Sequence, residues 1–258
     1  MLKTVPLRFA LANAHLQTND FGALQQMLQG GSWGRAESLR FALQAKVARE
    51  TGDDASFEKN WIEAVAQTKN DPERLNLLQM AAFQWNWTGK AMAVLWMLSG
   101  MPEAQRDALQ SLYRHYAADR DTRGLYRTLS RLVAVMPEDP AVRNNFAQIA
   151  LLLKTEIPRA QEISRALYEN HPQDATVAST YAFALFESGN RKGALKIMKR
   201  LTPGQLREPS VAAYYGILLS CHGQADEAEY YLDLGKKAPL LPEEEDLVAR
   251  AKASLARR

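Results

Sequence analysis

Along residues 179–201 the apolar positions fall into two short helical patterns set back to back. Tyr181, Ala182, Leu185 and Phe186 recur at helical spacing, Gly189-Asn190 interrupts them, and Ala194, Leu195, Met198 and Leu201 resume. Apolar residues three and four apart line one face of a helix, and glycine supplies the left-handed backbone that ends one. The stretch therefore predicts helix, tight turn, helix. Such a hairpin has two apolar faces and cannot bury both by itself, so it needs neighbours of the same kind.

The chain supplies them. The small-residue site of the first helix recurs as Ala12, Ala45, Gln79, Tyr113, Ala147, Ala182 and Gly216, at steps of 33 to 35 residues. An early site of the second helix recurs as Leu24, Phe57, Ala91, Leu125, Ala160, Ala194 and Ala228, with the same steps. Two columns holding one period define a repeat. Asn19-Asp20, Gly52-Asp53, Asn86-Trp87, Gly189-Asn190 and Gly223-Gln224 supply turn chemistry within hairpins. Prolines stand at the junctions, and Asp71-Pro72 and Asp139-Pro140 read as a cap followed by the first helical residue. Lys154-Thr155-Glu156-Ile157-Pro158 replaces the Gly turn in the fifth hairpin and accounts for its extra residue.

The predicted fold is all-α, a single array over residues 1–258. Its hairpins cover about 5–31, 35–69, 72–101, 103–136, 140–171, 174–203 and 209–238. A further helix at 242–257 carries Leu247, Val248, Ala251 and Leu255 on one face and shields the exposed apolar edge of the last hairpin. Nothing equivalent precedes the first hairpin, where Leu7 and Phe9 await cover. That edge is one place for self-association, and the chain reads equally as a piece of a longer protein.

A helix-turn-helix period of 34 with a late proline resembles the tetratricopeptide repeat. The residues that carry the likeness are Tyr181-Ala182, Leu185, Gly189, Ala194 and Met198, then Tyr215-Gly216, Leu219, Gly223, Ala228 and Leu232. Asn144-Asn145-Phe146-Ala147 is similar to a form common in bacterial members. Residues 5–238 share the pattern, loosely in the first four hairpins, where Leu24, Phe57 and Tyr113 stand at small-residue sites. The resemblance implies a right-handed α-solenoid of antiparallel helix pairs, whose concave wall is one stripe of each first helix. Read from this sequence, that stripe holds Lys46, Arg49, Asn76, Met80, Phe83, Gln110, Arg114, Asn144, Asn145, Gln148, Ser179, Thr180, Phe183, Phe186, Tyr214 and Ile217. Amides bind peptide backbone, aromatics form pockets and Arg holds acidic groups, so the expected ligand is a peptide or protein segment. The Lys-Asn-Asn-Lys-Arg carboxylate clamp of some members is absent from consecutive repeats.

Charge and candidate chemistry change this little. Lysine plus arginine number 32 against 29 acids, too balanced to predict a nucleic acid or membrane-surface partner. An RNA-reading helical repeat needs a basic groove and one fixed base-reading site per repeat, and the stripe offers neither. No apolar run reaches the ~20 residues of a membrane span. The opening MLKTVPLRFALANAHLQ superficially resembles a signal peptide, but Arg8, Asn13 and His15 break it and it fits the repeat register. The balance leans toward a soluble, cytoplasmic chain. No enzyme chemistry emerges, and no cofactor or metal is expected. The four histidines match no metal-ligand spacing, and Cys221 and His222 point about 100° apart on a helix. Gly30-Gly31-Ser32-Trp33-Gly34 lacks the Lys-Ser/Thr of a phosphate loop. Asp119, Arg120, Asp121 and Arg123 read as a solvated turn. Trp85, Trp87 and Trp96 either fill the gap between the third and fourth hairpins or leave an apolar patch for a partner.

Overall fold

The computed structural model describes residues 5–256, and among these every regular element is a helix. The helices are α1 (Val5–Gln17), α2 (Phe21–Gln29), α3 (Glu37–Glu50), α4 (Asp54–Ala66), α5 (Pro72–Gln84), α6 (Thr88–Leu98), α7 (Gln105–Ala118) and α8 (Thr122–Val135). They continue with α9 (Pro140–Leu152), α10 (Ile157–Asn170), α11 (Ala175–Glu187), α12 (Arg191–Met198), α13 (Pro203–Leu206), α14 (Pro209–Cys221), α15 (Ala225–Gly235) and α16 (Pro242–Leu255). Contacts divide the chain into two compact units between Ala108 and Leu109, inside α7. The extreme N-terminal residues of the apparent leader, and Arg257 at the end of the expected last helix, lie outside the described residues.

Helix starts follow from the sequence. Asp20, Asp53, Asp71, Asp121, Asp139, Asp174 and Asn190 each accept a hydrogen bond from a first-turn N–H, worth about 1 kcal/mol apiece. Helix ends obey a second column. Asn19, Gly52, Asn86, Arg120, Lys154, Gly189 and Gly223 all have φ between 54° and 84°. Glycine and asparagine enter this left-handed region readily, whereas Arg120 and Lys154 do so at a cost of about 1 kcal/mol each.

Within each unit, successive helices pair as antiparallel hairpins: α3 with α4 and α5 with α6 in the first, α9 with α10, α11 with α12 and α14 with α15 in the second. The small columns meet at these crossings. Ala12, Ala45, Ala147 and Ala182 are fully buried, as are Ala91, Ala160, Ala194 and Ala228 on the second helices. At α14/α15 the backbones approach so closely that a Cβ on Gly216 would lie 2.8 Å from Leu232 N. Tyr113, at a small-residue site, is half-buried and its hydroxyl accepts from Asn145 Nδ2. Gly124 on α8 lies beneath the neighbouring Tyr116 ring, where a Cβ would come within 2.2 Å. At the Gln79 site the fully buried small residue is Ala82, one turn on.

The tryptophans belong to the first unit. Trp87 meets Phe57, Trp61 and Trp85 edge-on at centroid distances of 4.9, 5.7 and 4.9 Å. Trp61, Trp85 and Trp87 therefore meet at the junction of the second and third hairpins rather than in the expected gap between the third and fourth, and Trp96 is half-buried. Trp33 is buried beneath the Gly30–Gly34 loop, held by Glu37, which accepts from Trp33 N–H at 2.5 Å and from Arg40 Nε at 2.6 Å. Burial alone would raise the Glu37 carboxyl. The hydrogen bonds from Trp33, Arg40 and Ser32, with the Arg40 charge, outweigh it and hold that group below its ordinary value.

Two features of the second unit were not expected. A short helix, α13, is closed by a reciprocal Thr202–Gln205 capping box. And α14 is buried on every face from Val211 to Ser220, because α11, α12, α15 and α16 all pack on it. The expected shielding of the last hairpin is present: Ala213, Ile217 and Leu232 share a core with Leu240, Val248 and Ala251.

Candidate functional site

The predicted stripe separates into three environments. In the first unit it is largely solvated, with Lys46 half-buried over the Trp87 ring. Lys46 pairs with Glu50, and Arg49 with Asp54 at 2.6 Å. Asn76 and Met80 are exposed, with Leu77 beside them, and Phe83 is half-buried. Opposite charges within one helix or turn satisfy these cations locally, so they contribute solubility more than recognition.

In the second unit, Gln110 and Arg114 of α7 and Asn145 of α9 are brought together. They rim an open depression of about 270 Å³ whose floor is Leu129, Leu132, Met136 and Val142. Asn145 Nδ2 donates to Tyr113 OH at 3.1 Å, and burial raises the Tyr113 hydroxyl above its ordinary value, so it stays a neutral hydrogen-bonding group. Arg114 is exposed and donates to Ser111 Oγ at 3.1 Å; among the described residues no carboxylate pairs with it. On the other side of α9 a second depression, also about 270 Å³, is lined by Asn144, Asn145, His171, Asp174 and Thr176. Asn144 is 3% exposed and its Oδ1 has no hydrogen-bond partner.

The rest of the stripe is covered. Ser179, Thr180, Phe183, Tyr214 and Ile217 are all buried. Thr180 Oγ1 bonds back to Thr176 O at 3.1 Å, and Phe183 packs 5.1 Å from the Tyr214 ring and 6.3 Å from that of Phe186. What covers the later residues is α16. Tyr214 OH donates to Glu244 Oε1 at 2.5 Å, and Gln148 Nε2 donates to the same oxygen at 2.9 Å and to Tyr214 OH at 3.0 Å. Burial, then the Glu244 charge, pushes the Tyr214 hydroxyl well above its ordinary value, so it remains a donor.

The turn 119–123 also differs from the solvated cluster expected of it. Asp121 caps α8 through Gly124 N–H at 2.9 Å. Arg120 Nη2 lies 2.6 Å from Glu245 Oε1, and Thr122 Oγ1 donates to Glu243. The turn is thus part of the surface that α16 contacts. One signal for this was available in the sequence: VAAYYGILLS in α14 is apolar all round, and such a helix must be covered on both sides.

Among the described residues no group of three or more His, Cys, Asp or Glu could hold a metal ion, and no helix is long and apolar enough to cross a membrane. His15 Nδ1 stands 3.5 Å from Asp20.

The described residues define an all-α protein of repeated antiparallel helix hairpins, with the period and layout of the tetratricopeptide repeat. Among solved structures it is similar to a tetratricopeptide repeat protein from Parabacteroides merdae ATCC 43184, at 12% identity over 98% of both chains and a TM-score of 0.46. It is also similar to pilF of Pseudomonas aeruginosa, at 14% identity over 95% of this chain and 97% of that one, with a TM-score of 0.32. The P58(IPK) TPR domain covers 98% of this chain and 79% of its own at 11% identity, with a TM-score of 0.32. No protein-family profile and no curated protein matches the sequence. With superposition scores of this size, the repeat assignment stands on the chain's own helix pairing.

Proposed function

We propose that this chain is a non-catalytic, seven-hairpin scaffold that binds a protein segment along its first-helix stripe. The observation that carries the reading is the open depression between α7, α8 and α9. Its apolar floor of Leu129, Leu132, Met136 and Val142 suits one or two aliphatic side chains. Its rim offers amides to a peptide backbone and one residue of each charge, Arg114 and Asp139, the latter already engaged in capping α9 through the Ala141 and Val142 N–H groups, which leaves Arg114 as the group for an acidic side chain. A single arginine among amides and a tyrosine is not a basic track, which favours protein over nucleic acid.

The test is affinity capture from native lysate with the wild type, Arg114→Glu and Asn145→Ala, all first shown to share one helical circular dichroism spectrum. A partner held by the wild type and lost from Arg114→Glu is the expected result. A partner held equally by all three overturns the reading. Phe183 and Tyr214 are unsuitable for this test, because both are buried and their loss would disturb the second unit itself.

Self-association is a second reading, and it rests on one observation. Leu7 on α1 is 50% exposed, whereas Phe9 packs on the cluster around Leu24 and Trp33. It predicts a mass that rises with concentration and falls back in Leu7→Glu.

A further inference from the structure

The first turn of α16 is gripped as a ligand would be. Its three consecutive carboxylates each meet a different partner from the second unit. Glu243 accepts from Thr122, Glu244 from Tyr214 and Gln148, and Glu245 pairs with Arg120. These partners come from positions 96 to 121 residues away for Gln148 and Thr122, far beyond the next hairpin. Acidic residues in a first turn complement the positive end of the helix dipole, so the motif favours a helix start by about 0.3–1 kcal/mol per charge.

Two observations mark the surface as a receptor rather than ordinary packing. Arg120 occupies the turn position filled by Gly or Asn in five of the seven hairpins, with φ 54°. That left-handed backbone costs a non-glycine residue about 1 kcal/mol, offset here by what its side chain reaches. Its Nε and Nη2 are buried and make no hydrogen bond among the described residues, although Glu245 Oε1 lies 2.6 Å from Nη2. Glu244, for its part, is 7% exposed and held only by neutral donors: Tyr214, Gln148 and the Leu241 N–H at 2.8 Å. Those hydrogen bonds offset part of the cost of burying the carboxylate and no cation offsets the rest, which weakens the grip of α16 on an otherwise complementary site.

The geometry points to a docking site for a helix that begins with a proline followed by consecutive acids, formed by Arg120, Thr122, Gln148 and Tyr214. It is occupied in cis by α16 and open to a partner segment of the same chemistry that displaces it. This rests on the reading of the first-helix stripe as protein-binding, but it uses residues other than the Arg114 depression.

The probe is a fluorescein-labelled peptide of residues 239–256, titrated by anisotropy against the full chain carrying Glu244→Lys, which repels its own α16 from the site. Saturable binding at least tenfold tighter than to the wild type is expected. It should be lost when the three glutamates of the peptide become glutamine, or when Arg120→Glu is added, and kept when Arg114→Glu is added. A folded Glu244→Lys chain that ignores the peptide overturns the proposal. Hydrogen exchange on the wild type does not depend on any variant folding: α16 amides should exchange at least tenfold faster than those of α14, and equal protection overturns the proposal. Loss of lysate capture by Arg114→Glu together with failure of the peptide would leave the scaffold reading standing and remove only this one.

Discussion

Replacing Gly235 with alanine tests the closest backbone approach in the second unit. A Cβ built there would lie 2.6 Å from Ala213 Cα and 2.8 Å from its Cβ and N. Carbon atoms pack at about 3.5–4.0 Å, so α14 and α15 must part by roughly 1 Å. Backbone atoms cannot rotate away as a side-chain tip could. Nor can α14 retreat freely, since Ala213 and Ile217 share a core with Val248 and Ala251 of α16. Overpacking of this kind costs about 1–3 kcal/mol. Alanine returns less than about 1 kcal/mol of helix propensity, because Gly235 is the last residue of α15. The expected net loss is about 1–2 kcal/mol. All five tryptophans lie between residues 33 and 96. Tryptophan fluorescence during urea unfolding therefore reports the first unit, while circular dichroism follows both. Gly235→Ala should lower the dichroism midpoint by more than the fluorescence midpoint. As a control, Gly89→Ala in α6 has no atom within 4 Å of the new Cβ and should hold or raise stability by up to about 1 kcal/mol. A Gly235→Ala protein as stable as the wild type would refute the close-approach argument.

Trp87→Ala removes a ring held edge-on by three aromatics and should cost the first unit about 2–4 kcal/mol, read as an earlier fluorescence transition in urea. Glu37→Gln should cost about 1–2 kcal/mol at neutral pH, through weaker hydrogen bonds to Trp33 and Arg40. The folded Glu37 group lies below its ordinary value of 4.5, so its contribution is present above that pH and vanishes as pH falls through the lowered value. Unfolding midpoints of wild type and Glu37→Gln should therefore converge in acid, and a gap that persists there would contradict the assignment. Asp139→Ala leaves the Ala141 and Val142 N–H groups of α9 uncapped and should lower the thermal midpoint by the equivalent of about 1 kcal/mol, with no change in secondary structure.

The hairpins were legible because their signals are local. A period carried by Ala12, Ala45, Ala147 and Ala182, aspartate caps and Gly or Asn turns each act within one helix length. The open depression was partly legible too: Gln110, Arg114 and Asn145 were assigned to one surface, and they share one. The rest of the stripe depended on something periodicity does not carry. Register placed Gln148, Phe186 and Tyr214 toward a ligand, but the position of α16 is fixed by carboxylates meeting residues as far back in the chain as Arg120 and Thr122. Arg120 reads as a solvated turn residue for the same reason, since the Glu245 it meets belongs to the last helix. The tryptophan junction was displaced by one hairpin because Trp87 caps α6 yet turns its ring back onto Phe57 and Trp61 of α4.

A stack of hairpins that touch only their neighbours can form progressively, each new pair settling on the last as the ribosome delivers it. The bond between Thr122 and Glu243 denies the second unit that route. Until residues 242–255 have been synthesised, α14 has one uncovered apolar side and Gln148 and Tyr214 face an empty seat. Closing so long a loop raises contact order and slows the last step of folding. In exchange, a linear array gains a long-range tie: α16 joins the start of α8 to α9 and α14, so whatever lifts α16 from its seat loosens contacts on all three helices at once.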